Sequence, residues 1–176
     1  MKTFDLIVAL DEKNGIGKEG RLPWILSGDM QHFKSVTLAT ALKGFMNAVV
    51  MGRKTWESIP EKFRPLANRL NVVLTRNKDS ILPAGVLRAS SFAKALELLG
   101  TQDKKIDHIF IIGGASVYQE AIVHPFCQKI YVTKVQGDFS CDTFFPEFKS
   151  TFKEIECSSS CCECGKTYSF SVYARA

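Results

Sequence analysis

Three groups of residues have types and spacings that can do chemistry. Asp29 opens a stretch in which Met30, Phe33 and Val36 recur at helical spacing, so a carboxyl begins a helix among apolar neighbours. A carboxyl held beside apolar side chains is poorly hydrated, its pKa rises, and it can donate a proton near neutral pH. On residue type alone the plainer reading is an acid in a helix's first turn, stabilised by the helix dipole. Gly113-Gly114 follows the apolar run 109–112 and precedes a second helical stretch. Bare backbone there can approach a phosphate at the helix start; a simple tight turn is the alternative. Arg53-Lys54-Thr55 puts positive charge at another strand-to-helix junction, also suited to phosphate.

Two further motifs mislead or stay open. Gly15-Ile16-Gly17-Lys18-Glu19-Gly20 has the letters of the dinucleotide fingerprint G-x-G-x-x-G. That motif needs a strand running straight into the turn and a helix leaving it. Here four residues intervene after the apolar run 6–10, and Pro23 stands where the helix should run. A mobile glycine-rich loop ending in Leu22-Pro23-Trp24 fits better, either a lid or a plain surface loop. Four of the six cysteines, Cys157, Cys161, Cys162 and Cys164, crowd one short segment. No second C-x-x-C or histidine pair completes a four-ligand pattern, so no metal is assigned and reduced thiols in a hairpin loop are expected.

The elements that must position these groups alternate along the chain. Runs 6–10, 48–51, 72–74 and 109–112 are continuously apolar, as in parallel strands buried on both faces. Residues 130–135 form another β-branched stretch. Residues 168–173 alternate, as in an antiparallel strand nearer an edge. Helices fit between: one capped by Ser27, a short one over 54–58 stopping before Pro60, one opened by Ser90 or Ser91 and closed by Gly100, and one with a capping box at Ser116 to Gln119. With 176 residues, 45% hydrophobic, one α/β domain over 1–176 is expected. The +5 charge suits anionic ligands. Its densest clusters are pairs such as Arg53-Lys54 and Lys104-Lys105, too sparse to indicate nucleic acid. The first apolar run is too short for a secretory or spanning segment, so no membrane role and a cytoplasmic location are expected.

Several segments, in order, resemble one family. They are Ile7-Val8-Ala9, Gly15-Ile16-Gly17, Leu22-Pro23-Trp24 with Asp29, and Met51-Gly52-Arg53-Lys54-Thr55-Trp56-Glu57-Ser58-Ile59-Pro60. Arg64-Pro65-Leu66 with Arg69, Leu74-Thr75-Arg76, Ile112-Gly113-Gly114, Val117-Tyr118 and Asp142-Thr143-Phe144-Phe145-Pro146 continue the series. Together they resemble dihydrofolate reductase over essentially the whole chain, in the longer eukaryotic or protozoan form. The resemblance implies a mainly parallel eight-stranded sheet with one antiparallel strand and helices on both faces, and a cis Gly113–Gly114 bond. It implies NADPH as cofactor, dihydrofolate as substrate and antifolates as inhibitors. It also implies either a monomer as an isolated domain or fusion to thymidylate synthase in a longer chain.

The same resemblance implies roles. Asp29 holds the pterin and assists protonation of N5, with Leu22, Trp24 and Thr133 beside it. Ile7, Val8, Ala9, Met30, Phe33, Ser58, Ile59, Leu66, Ile112 and Tyr118 surround the substrate rings, and Arg69 pairs with the glutamate α-carboxylate. On the cofactor side, Ala9, Ile16 and Tyr118 line the nicotinamide, joined by Gly17, Gly20, Leu22 and Ile112. Arg53, Lys54 and Thr55 face phosphates, Thr75 and Arg76 the 2′-phosphate, and Ser90 and Ser91 the adenosine, with Gly52 and Leu74 also on the cofactor side. Gly113, Gly114, Ala115, Ser116 and Val117 approach the pyrophosphate. Two rivals stand beside this reading: a same-fold pyrimidine reductase, which would lack Trp24, Asp29 and Arg69, and a non-catalytic folate- or nucleic-acid-binding module.

Overall fold

The apolar runs become the middle of a sheet, because each strand is covered on both sides. In the computed structural model, which describes residues 2–102 and 105–176, these are β1 (Phe4–Leu10), β3 (Met46–Gly52), β4 (Arg69–Leu74) and β6 (Ile106–Ile111). Lys104 of the Lys104-Lys105 pair lies outside the described residues. The remaining strands are β2 (Gly15–Gly17), β5 (Leu87–Ala89), β7 (Cys127–Val135), β8 (Thr143–Phe144), β9 (Phe152–Cys157), β10 (Cys161–Glu163) and β11 (Lys166–Arg175). The helices are α1 (Ser27–Leu38), α2 (Arg53–Ser58), α3 (Phe92–Gly100) and α4 (Ala115–Ile122).

Across the main sheet the order is β10-β11-β7-β1-β6-β3-β4-β5, with β9 also on β11. From β5 to β7 every neighbour is parallel, and β11 runs antiparallel to β7, β9 and β10. Both β9 and β10 pair with β11, at Cys157–Ser171 and Cys161–Tyr168, so they are two halves of one edge strand interrupted at 158–160. Among the described residues the sheet therefore has nine strands in eight positions, and β11 alone is reversed. No helix among the described residues is long and apolar enough to cross a membrane.

Strand alternation sorts the core into two layers. Leu6, Val8 and Leu10, Ala48 and Val50, Val72, and Ile109 and Ile111 join Phe92, Ala95, Leu96 and Leu99 of α3 and Val117 and Ala121 of α4. Ile7, Val49, Met51, Val73 and Phe110 point the other way, to Trp56 of α2 and Phe33 and Val36 of α1. Each fully buried aliphatic side chain contributes roughly 1.5–3 kcal/mol, so both faces of the sheet are firmly covered.

Helix starts differ from the sequence reading in two places. Ser91 does cap α3, accepting from Lys94 N at 3.2 Å. Ser27, however, lies inside α1; the cap position is Leu26, which has no side chain able to accept. The capping box at 116–119 does not form either, because α4 begins two residues earlier than that box requires, at Ala115, with Gly114 as its cap. At α1 a carboxylate from elsewhere in the fold, Glu163, takes over the helix start.

Candidate active site

Asp29 sits in the first turn of α1, 6% exposed, and its Oδ1 accepts from Thr133 Oγ1 at 2.7 Å. Thr133 belongs to β7, where it lies beside Ala9 of β1 and Phe170 of β11. Burial pushes the Asp29 carboxyl above its ordinary value, the Thr133 bond opposes this, and the charge of Glu163 adds to the rise. Trp24 is buried with Leu26, Val135 and Tyr168, with Ala9 and Phe139 packed against them. Its indole N–H finds no acceptor among the described residues. A buried carboxyl with a raised pKa and an indole donor without a partner among the described residues are thus held close to the end of β1.

The apolar walls expected from the sequence divide between the layers. Ile7, Phe33, Ile59, Leu66 and Ile112 belong to one cluster, while Met30 projects half-exposed from α1. Val8 faces the opposite layer and is core, so only its backbone is on the site's side. Ser58 is exposed, its hydroxyl donating to the Thr55 carbonyl at 2.7 Å. Arg69, at the start of β4, donates from Nε to the Ala67 carbonyl at 3.0 Å and from Nη1 to Thr37 Oγ1 at 2.7 Å. Its guanidinium lies 5.9 Å from the Phe33 ring centre. These contacts fix the plane of the fork and leave donors for a carboxylate.

A second group gathers where β3 and β6 end. Gly52 N donates to the Gly113 carbonyl at 2.8 Å, and the Gly113–Gly114 bond is cis. Gly113 has φ +117, where a side chain is strained, and a Cβ on Gly114 would lie 3.3 Å from Thr55 Oγ1, a tight contact, so both positions in this cradle favour glycine. Ala115, Ser116 and Val117 open α4 directly beyond it, with Val117 turned into the core. Tyr118 is buried and donates to the Ile7 carbonyl at 2.6 Å, which joins the cradle to β1. Arg53 is tied to Glu57 at 2.7 Å, whereas Lys54 and Arg76 are exposed. Thr75 is buried at the end of β4, Leu74 is half-buried, and Ser90 is exposed beside the capping Ser91.

The glycine-rich loop is more ordered than a free lid. Gly15 and Gly17 form β2, paired with β8, and Ile16 packs against the core. Beyond them Gly20 (φ +75) and Leu22 are exposed. Asp11, 1% exposed, holds the loop's base by accepting from Gly15 N at 2.7 Å, Lys13 N at 2.9 Å and Phe139 N at 3.2 Å. A Cβ on Gly15 would lie 2.5 Å from Cys141, which requires glycine there.

Sequence reasoning missed Asp11, Thr37, Asn71 and Glu163. Asn71 accepts from Leu66 N at 2.9 Å and donates to the Leu66 and Arg69 carbonyls, shaping the turn between them. An asparagine inside an apolar strand run was the available signal. The segment 157–164 is also corrected. It is only partly loop: Cys157 ends β9 and 161–163 form β10, with 158–160 irregular between them, and Cys164-Gly165, both at positive φ, form the turn. Two such residues match the twist of a tight hairpin. Its four cysteines are free and exposed, and no group of three or more potential metal ligands occurs among the described residues.

A hollow of about 400 Å³ lined by Val36, Ala39, His108, Phe110 and Tyr131 opens by the far end of α1. It is separate from the acid, which lies at the other end of that helix.

Comparison with known proteins agrees with this geometry. The chain is 44% identical to the dihydrofolate reductase of Drosophila melanogaster over 156 residues, 88% of this chain and 85% of that one. It is 43% identical over 178 residues to bifunctional dihydrofolate reductase-thymidylate synthase 2 of Arabidopsis thaliana, covering 98% of this chain and 32% of the relative. The chain thus spans about a third of the length of the bifunctional relatives it matches. A solved Schistosoma mansoni dihydrofolate reductase superposes with a TM-score of 0.89 at 37% identity, covering 99% of both chains. A sequence model of dihydrofolate reductase matches residues 3–175. The chain belongs to the dihydrofolate reductase family.

Proposed function

We propose that this chain reduces 7,8-dihydrofolate to 5,6,7,8-tetrahydrofolate with NADPH, and that Asp29 assists protonation of the pterin N5. The observation that carries this is the buried Asp29 carboxyl, bonded to Thr133 with its pKa raised, near the unpartnered indole N–H of Trp24. NADPH when bound supplies a hydride to pterin C6; the chain must hold the ring and deliver a proton. Asp29 can accept from the pterin amino group and ring nitrogen while Thr133 keeps the carboxyl in place. The Trp24 N–H can hold a water that relays the proton. Arg69 meets the glutamate α-carboxylate, and the Phe33, Ile59 and Leu66 side chains exclude water from the rings between.

The residues also suit the cofactor. A cradle that a Cβ would fill at Gly114, followed by the start of α4, suits a pyrophosphate, and exposed Arg76 suits a 2′-phosphate. In this reading the chain acts in the cytoplasm, supplying one-carbon metabolism and binding antifolates, as a monomer or as the reductase part of a chain joined to thymidylate synthase. The test is loss of nicotinamide absorbance on mixing purified protein with NADPH and dihydrofolate, in wild type and Asp29→Asn. Turnover in wild type with a drop of about 100-fold or more in the variant supports both enzyme and acid. Binding of both ligands without wild-type turnover overturns the enzymatic reading.

A further inference from the structure

Helix α1 carries the acid but has no cap of its own. The capping is done by Glu163, 136 residues away on β10. Its Oε1 accepts from Ser27 N at 2.7 Å and Ser27 Oγ at 2.6 Å, and its Oε2 accepts from Gly28 N at 3.0 Å and Tyr168 Oη at 3.2 Å. We propose that Glu163 is a positioning residue for the active-site acid, clamping the first turn of α1 to the β10–β11 hairpin so that Asp29 meets Thr133 in a fixed place. This rests on the reading of Asp29 as the proton-assisting group.

The clamp closes a ring of contacts. Asp29 bonds to Thr133 of β7, Thr133 lies beside Phe170 of β11, and Phe170 packs on Tyr168. Tyr168 donates to Glu163, and Glu163 accepts from Gly28, the residue before the acid. The fit is tight, since a Cβ on Gly28 would lie 2.0 Å from Tyr168 Oη. The turn at Cys164-Gly165 and the Glu163–Lys166 pair fix where the carboxylate stands. One turn along α1, His32 stacks on Phe170 at 3.8 Å, a second anchor of the helix to β11.

Glu163 also acts by charge. Its hydrogen bonds, the Ser27 hydroxyl first, hold its carboxyl down to about 2, so it stays ionised at physiological pH. A fixed negative charge offsets the positive end of α1 and disfavours a second charge on Asp29. The other titratable groups around the pair are Tyr118 from α4, Tyr168 from β11, Cys161 from β10 and Lys166 across the hairpin, with His32 on α1 itself. Burial lowers the pKa of His32.

The test compares wild type, Glu163→Gln and Glu163→Ala, following turnover against pH and, independently, titration of the Asp29 carboxyl by carbon NMR in protein labelled at aspartate. Glu163→Gln loses the charge and keeps one acceptor oxygen for Ser27, but sets an NH2 donor against the Gly28 N–H. Asp29 then titrates at lower pH, the pH above which kcat falls moves down with it, and KM for dihydrofolate changes less than about twofold. Glu163→Ala also frees the turn, and kcat/KM falls about tenfold or more. If Glu163→Ala does not fold, the glutamine variant still decides. Unchanged Asp29 titration, pH profile and kcat/KM in Glu163→Gln, which loses the charge and half of the clamp, overturn the proposal. Absence of wild-type turnover sinks the proposed function instead, while the NMR titration still reads the coupling between Glu163 and Asp29.

Discussion

Replacing Asp29 with asparagine should remove turnover and at the same time make the fold more stable at neutral pH. Asp29 is buried, and desolvation raises its pKa above the ordinary 3.8 that it regains in the unfolded chain. Between those two values the native state holds a proton that the unfolded state has released. Stability therefore falls as pH rises through this window, and below it the two states are alike. Asparagine does not titrate, and its amide oxygen can still accept from Thr133, so the variant escapes the charge penalty and keeps the bond. Each unit by which the pKa is raised corresponds to about 1.4 kcal/mol, so the variant gains stability at about pH 7.5 in proportion to that rise, read as a higher Tm. Thermal melts of both proteins without ligand, at about pH 4 and about pH 7.5, measure it. A gain that shrinks toward the acid end supports the argument. A variant less stable than wild type at neutral pH, or a difference independent of pH, refutes the account of Asp29 as a desolvated acid.

Three further outcomes follow from single contacts. Arg69→Lys loses the planar fork that Thr37 and Ala67 hold, so KM for dihydrofolate should rise about tenfold or more with kcat little changed, read by steady-state kinetics. Asp11→Ala leaves the amides of Lys13, Gly15 and Phe139 without their acceptor, and urea unfolding should show a loss of about 2 kcal/mol or more. Titration with an aromatic disulfide reagent in native buffer should find the four exposed thiols of 157–164 reacting first. Cys127, buried and with its thiol pushed up to about 12, should react only on unfolding.

Much of the fold was legible because the parallel strands carry continuous apolar runs, and such runs mean burial on both faces. Asp29 and Thr133 were legible only through the resemblance. An acid in a first helical turn and a threonine in a strand have ordinary explanations, and the 2.7 Å bond between them spans 104 residues. Glu163 was illegible for the same reason. It stands in a segment of serines and cysteines whose composition suggests a loop, and its partners are 136 and 135 residues away. The cap of α1 was misplaced because Ser27 is a good capping residue, whereas a carboxylate from the sheet edge leaves no local trace. Val8 was assigned to the site by motif, but strand alternation turns its side chain to the other layer.

The interrupted edge strand has a consequence for how the protein is made. The core that covers α3 and α4 draws mostly on strands that are present once β7 has formed, yet the turn bearing Asp29 is held from residues 161–168. Closing so long a loop is slow relative to local folding. During synthesis, a nascent chain that has built most of its sheet still presents α1 with its first amides uncovered. Asp29 is therefore expected among the last side chains to be fixed, its place set by docking of the hairpin rather than by collapse of the core.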